Sequence, residues 1–483
     1  MSISGALANA LSGLNAASRS ASVVSDNLAN ALTEGFGRRE VELGTRASGA
    51  GGGVQIVSVD RVRTLTLLTD QRAASADLAG ADTRSAFLAR VQDLQGEPGS
   101  GTALTDLVSG VETALVAALA RPDQLARQTQ VVDALSQLVT RIAQTSDSIQ
   151  VERARADAGI GQAVAQLETD LTQIAQLNTD IRKATMRGDA ANALKDTRQR
   201  LVDRVSELVP VREVDRGLGM IALMSEGGLL LDGTAPTFDF QTTPVITAHH
   251  TAGAGLLSGI QVNGQPVDLT RDKHLLSGGR LAAMVSVRDD LSVTAQAQLD
   301  GFARDLLDRV SASGVDPTVA AGAPGLLTDG GGAFLAANET GLSQRLALNA
   351  AVNPAQGGQV WRLRDGLGAA APGAVGDGAG LARLRDAMAN AHPPASSALS
   401  GASRTAAGQA ADLYTALGTE RLSQDTALAH ATARHAGLSE ALQAEGVDSD
   451  REMQKLLLIE QAYAANARVI SAAQGMLDTL LEI

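Results

Sequence analysis

Apolar residues return every seven positions at the start of the chain. Leu7, Leu14, Ala21 and Leu28 form one row, and Ile3, Ala10, Ala17, Val24 and Ala31 form another beside it. That spacing predicts a helix over residues 3–32 carrying a coiled-coil seam. The remaining positions, among them Asn9, Ser12, Asn15, Ser18, Ser22 and Asp26, are polar but nearly uncharged. Such a surface suits contact with other protein better than the Lys/Glu-rich back of a solvated helix. The far end of the chain repeats the design: Leu456, Tyr463, Ile470 and Leu477 alternate with Ile459, Asn466, Ala473 and Leu480. Asp448 or Ser449 is placed to cap that helix.

Between these ends the pattern is helical from Leu67 to Pro210. Val164, Leu167, Leu171, Ile174 and Ile181 alternate three and four apart, and a helix over 148–186 would span about 60 Å at 1.5 Å per residue. Gly188-Asp189 predicts its end, and a further helix over 191–208 stops at Pro210. The period then shortens. Met220–Met224 and Leu229–Leu231 flank a Ser-Glu-Gly-Gly turn, and Ile260–Val262 and Val267–Leu269 flank Asn263-Gly264, the pair that best tolerates a type I′ turn. Helix returns over 279–311 on Leu281, Val285, Leu291, Leu299, Phe302, Leu306 and Val310. Residues 316–380 are rich in Gly, Ala and Pro and read as loops continuing the inserted domain. Residues 403–444 are helical again.

The fold class expected is α+β, mostly α: an elongated helical coiled-coil rod formed by both chain ends, with an inserted β-rich domain. The division expected is a terminal coiled-coil axial domain (1–65 and 440–483), a helical rod domain (66–210, 276–312 and 396–439) and an inserted β-rich outer domain (211–275 and 313–395). With 483 residues, more than one core is required.

Composition narrows the function. Forty Lys and Arg against 53 Asp and Glu leave a net charge of -13, which repels a phosphate backbone and argues against nucleic acid. Aromatic residues are 2% of the chain, so helices packed through small residues are expected rather than an aromatic-lined cofactor pocket. No Cys is present, which removes thiolate nucleophiles, disulfides and sulfur ligands. The start of the chain lacks the basic and apolar stretches of a secretory signal, and no apolar run is long enough to span a membrane.

A search for chemistry finds no catalytic, cofactor-binding or metal-binding set. His249 and His250 are adjacent, and His430 and His435 are five apart, about 140° around a helix. The glycine runs Gly49–Gly53 and Thr328–Gly332 lack the Lys-Ser/Thr of a phosphate-binding loop. Asp289 and Asp290 read as residues of a solvated helix face. No enzyme activity and no cofactor are expected.

The ends carry a specific signature. Ala10–Arg19 (ALSGLNAASR) followed by Ser25–Phe36 (SDNLANALTEGF) resembles the motif of flagellar rod, hook and hook-associated proteins, with Ser25, Asn27, Ala29, Asn30, Thr33, Gly35 and Phe36 at the family's positions. Leu32 and Glu34 replace the usual Asn before the Thr and Pro after it. Gly446–Ile483 resembles the closing helix of the same family, and Ser277–Ala303 resembles its hook-associated members. The resemblance implies a structural subunit at the junction between hook and filament. Its implied partners are copies of itself in a ring, the hook protein, a second junction protein or flagellin side of the filament, and a flagellar export chaperone. It further implies an extracellular place on the flagellum, reached through the flagellar type III apparatus without a cleaved signal peptide. Leu7, Leu14, Val24, Leu28, Leu456, Ile459, Tyr463, Ile470, Leu477 and Leu480 are the residues expected to carry the assembly seam, ordering as neighbours supply the partner surface. Two rivals stand: another axial subunit (distal rod or hook), and a cell-wall hydrolase on an axial scaffold.

Overall fold

The structure is a computed structural model that describes residues 3–33, 35–46 and 52–481. Glu34 of the signature and Gly49–Gly51 of the first glycine run lie outside the described residues. In chain order, α1 (Ile3–Ala29) leads to the hairpin β1 (Arg39–Thr45) and β2 (Val54–Arg61). Four helices follow: α2 (Leu65–Gln95), α3 (Leu104–Ala120), α4 (Leu125–Arg187) and α5 (Asn192–Leu208). The helix expected over 148–186 is thus the second half of a longer one. Val131, Leu135, Leu138 and Ile142 continue its buried stripe toward the N-terminus, and its 63 residues extend about 95 Å. It ends where the sequence predicts, with Gly188 left-handed at φ 76°.

Strands β3 (Arg212–Gly217), β4 (Met220–Ser225) and β5 (Gly228–Leu231) make an antiparallel sheet in that order. A second small sheet joins β6 (Phe238–Asp239), β7 (Gln261–Val262) and β8 (Gln265–Pro266). Asn263 and Gly264 turn between β7 and β8 with φ of 52° and 74°, the positive values a type I′ turn demands.

Helix α6 (Gly279–Ser286) and helix α7 (Ser292–Ser311) are separated by a π-helical turn at Val287–Leu291. The periodicity reads through this turn because the apolar anchors persist on both sides. Buried charge is packed against it. Ser292 N–H donates to the carbonyl of Val287, and the carbonyl of Arg288 accepts Arg153 Nε at 3.0 Å. The Arg288 guanidinium reaches Asp157 Oδ1 at 2.8 Å and Asp289 Oδ2 at 2.7 Å. Asp289 is therefore a fixed counter-ion, largely covered, and not part of a solvated face.

Residues 313–395 contain β9 (Leu327–Asp329), α8 (Leu342–Arg345), β10 (Leu346–Leu348), α9 (Arg362–Asp365) and α10 (Ala379–Ala389). Helices α11 (Ala406–Glu445) and α12 (Ser449–Leu481) close the chain. Asp448 Oδ1 accepts the backbone N–H of Asp450 and Arg451 at 3.0 and 3.2 Å, the cap the sequence anticipates.

Two large cores share α4 as a spine. One collects Phe87, Val108, Leu138, Phe302 and Leu413 together with Leu327, Leu346, Leu363 and Leu384. The other collects Leu167, Ile174, Val202, Leu223, Leu231 and Ile260. The sequence reading joins 211–275 and 313–395 into one insert, but their buried residues go to different cores. Residues 313–395 carry more helix than strand and pack on the first half of α4. The 211–275 sheets pack on its second half.

Candidate assembly interface

Helices α1 and α12 run antiparallel. Gly13 lies against Asn466 so closely that a Cβ there would come within 2.7 Å of the Asn466 amide. One end of the pair is pinned by signature residue Asn27, which is fully buried. Its Nδ2 donates to the carbonyl of Arg39 at 2.9 Å and to Glu452 Oε2 at 3.1 Å, and its Oδ1 accepts the Arg39 N–H at 2.9 Å. A single amide so ties α1, β1 and α12 together. A side-chain carboxamide, carried only by Asn and Gln, supplies this acceptor and two donors in one plane, and Asn holds it on the shorter arm. Nearby, Lys455 Nζ sits 2.6 Å from Glu40 Oε1, and Arg38 Nη1 lies 2.9 Å from Glu40 and 3.7 Å from Glu452. The Lys455 hydrogen bond holds the Glu40 carboxyl below the ordinary glutamate range against the opposing effect of burial.

The other signature residues form the turn after α1. Asn30 Nδ2 donates to the Asp26 carbonyl at 2.9 Å, and Thr33 Oγ1 donates to Asn30 Oδ1 at 3.3 Å. Gly35 is left-handed at φ 74°, and a side chain there would strike Arg200. Phe36 lies under the Arg39 guanidinium, 4.8 Å from its ring centre. Ser25 and Ala29 are exposed on the outer face of α1.

Of the expected seam, Val24 is buried, while Leu7, Leu14, Leu456, Ile459 and Ile470 are half-buried. Leu28, Tyr463, Leu477 and Leu480 are exposed, Leu480 by 60%. Within the chain, Val24 is joined at the contact between the helices by small residues beside the leucines: Ala10 and Ala17 on α1, and Asn466 and Ala473 on α12. The sequence reading weighted side-chain size, whereas close helix approach favours small residues. Ser12, Glu452 and Gly13 escaped that reading as well. Ser12 Oγ accepts the Val54 N–H at 3.1 Å, fastening β2 to α1. A groove of about 570 Å³ opens between α1, the hairpin and α12, lined by Ala16, Val23, Leu43, Val54, Leu458 and Ile459 among others.

Among the described residues no group of three His, Asp or Glu side chains is placed to hold a metal ion, and no helix is long and apolar enough to cross a membrane.

Comparison with known proteins places these elements. Residues 7–36 match the family model for flagella basal body rod proteins, 88–325 that for the flagellar hook-associated protein FlgK helical domain, and 438–483 that for the flagellar basal body rod FlgEFG protein C-terminal region. This chain belongs to the flagellar rod, hook and hook-associated family. Flagellar hook-associated protein 1 of Salmonella typhimurium is 28% identical over 235 residues, covering 47% of this chain and 42% of that protein. The Escherichia coli K12 protein of the same name is 26% identical over 298 residues, covering 59% and 53%. The alignments thus take in about half of each relative's length. The flagellar hook junction protein FlgK from Burkholderia pseudomallei aligns over 55% of this chain and 47% of its own, with a TM-score of 0.45 and 20% identity. The FlgK-type helical match covers α3, α4, α5 and α6 through α7, the spine and its partners. The two rod-type matches fall on the helices that the Asn27 amide joins.

Proposed function

We propose that this chain is a structural subunit of the bacterial flagellum that forms the junction between hook and filament, and that it assembles through α1 and α12. The observation that carries the reading is the pairing of the two chain ends into one helical unit whose outer face is exposed among the described residues. On α1 that surface runs through Ala8, Leu11, Asn15, Ser18, Ser22, Ser25 and Ala29, a heptad stripe without a charge. On α12 Leu457 and Leu458 are more than half exposed, and Leu481 is 84% exposed. An uncharged stripe on α1 beside exposed leucines on α12 suits contact with other protein. FlgK-type helix between the ends supports a junction subunit over a rod or hook subunit, and the names of the relatives support it further.

In this reading copies of the chain form a ring between the hook protein and the filament side, and the subunit lies outside the cell after export with a dedicated chaperone. The chain acts as structure and carries out no catalysis. A strain lacking the gene tests this: hooks of full length without filaments, with flagellin lost to the medium, are the expected outcome. Absent hooks would move the assignment to a rod or hook subunit. Clearing of peptidoglycan by the purified chain would overturn it in favour of a hydrolase.

A further inference from the structure

We infer that the axial unit, residues 3–62 with 447–481, is a body hinged on the rod by a charge clamp centred on Asp196, and that this joint opens without opening either the α1–α12 pair or the rod core. The inference concerns the free chain and does not depend on the junction reading.

The apolar cores set the first condition. Among the described residues, none of the buried apolar clusters contains a residue from 3–62 or 447–481, so no shared apolar core is seen to fasten the axial unit to the rod. The joint is polar. Arg39 and Arg61 are cross-strand partners at the base of the β1–β2 hairpin, and two like charges placed opposite each other destabilise a strand pair. Asp196 of α5 relieves this repulsion from outside the hairpin. Its Oδ2 lies 3.0 Å from Arg39 Nη2 and its Oδ1 lies 2.6 Å from Arg61 Nε. Oδ1 also accepts the Gly37 N–H at 3.4 Å. The carboxylate is largely covered, its side chain 10% exposed. Around it Arg61 Nη2 donates to Gln199 Oε1 at 2.6 Å, and Asn192 Nδ2 donates to the Val59 carbonyl at 2.9 Å. All these rod groups come from α5. Undocked, the hairpin would keep two facing guanidinium groups with no acid between them, so docking and hairpin closure are coupled through one carboxylate.

The second attachment is also polar. After Leu417, only Ala431 of α11 is buried. The helix lies along α2 through side-chain bonds such as Ser85 to Asp425, Arg434 to Asp77 at 2.9 Å and Thr64 to Glu445 at 2.9 Å. Within the axial unit, by contrast, Asn27 holds α1, β1 and α12 together independently of α5.

The test is amide hydrogen exchange on the purified full chain, comparing wild type, Asp196→Asn and the double variant Asp196→Asn/Arg39→Gln. In Asp196→Asn, amides of residues 35–46 and 52–62 should exchange roughly tenfold faster or more, as expected when a covered ion pair loses one partner. Amides of α4, and of α1 and α12 around Asn27 and Glu452, should keep wild-type rates. In the double variant Arg61 no longer faces a like charge, so amides within β1 and β2 should recover much of their protection, whereas Gly37 should stay fast because its acceptor is altered. Unchanged rates at 35–46 and 52–62 in Asp196→Asn would overturn the clamp. Equal loss of protection in α4, in either variant, would overturn the independence of the joint.

Discussion

The rod and the axial unit are both made of long helices, yet they are held by different means. The rod buries Phe87, Ile142, Leu167 and Phe302 completely, and covers Arg153 and Arg309 with hydrogen-bonding partners. The axial unit buries Ala10, Ala16, Ala17, Val24 and Ala473, and leaves its larger leucines on the surface. At about 25 cal/mol per Å² of apolar surface, an alanine seam returns far less than a leucine and phenylalanine core. The rod therefore has the means to stand alone. In the proposed assembly, neighbouring chains that cover what the terminal pair leaves exposed would add to its stability.

The largest expected effect falls on the rod. Phe302 is fully buried among α7's neighbours, and Phe302→Ala should cost about 3–5 kcal/mol through lost contact and the cavity left behind. Thermal unfolding followed by circular dichroism would show it as a large fall in the main transition. If that transition held while only the ends loosened, the rod would not be the independent body the comparison makes it.

A smaller effect, confined to the other region, is expected from Asn27→Ala. The change strips the Arg39 N–H of its acceptor, and the Arg39 carbonyl and the covered Glu452 carboxylate of a donor. Leaving such groups unpaired costs about 1–3 kcal/mol. Exchange of amides in α1 and the first turns of α12 should accelerate, with the main thermal transition almost unmoved. A fall in the main transition as large as that of Phe302→Ala would break the comparison from the opposite side.

How much of this could be read from residues alone follows the range of each interaction. The terminal helices, the Gly188 stop, the Asp448 cap and the Asn263-Gly264 turn are local, and periodicity or a single φ preference announces them. Asn27 stood out only through its place in a family signature, because its partner Glu452 is 425 positions away. Asp196 carried no signal at all, since its meaning depends on two arginines brought opposite each other by a hairpin. The assignment of 313–395 failed for a related reason: glycine and proline mark turns, but they do not say which core the leucines between them will join. The seam was half legible, because a heptad identifies the rows and the distance between helix axes decides which row is inside.

The smallest effect sharpens the comparison at the rim of the axial unit. Glu40 is 44% exposed in its side chain, so its pair with Lys455 is screened by solvent, and Glu40→Gln should cost under about 1 kcal/mol. The sign of its pH dependence is fixed by the direction of the shift. The folded-state carboxyl lies below its ordinary value of 4.5, chiefly through the Lys455 hydrogen bond. The contribution is therefore complete above that value and is lost as pH falls through the lower, folded-state one. Wild type and Glu40→Gln should differ slightly in the stability of the α1–α12 pair near neutral pH, and converge in acid. Added salt should shrink the difference at neutral pH. A difference that widened in acid would mean that Lys455 is not the group holding Glu40 in its charged form.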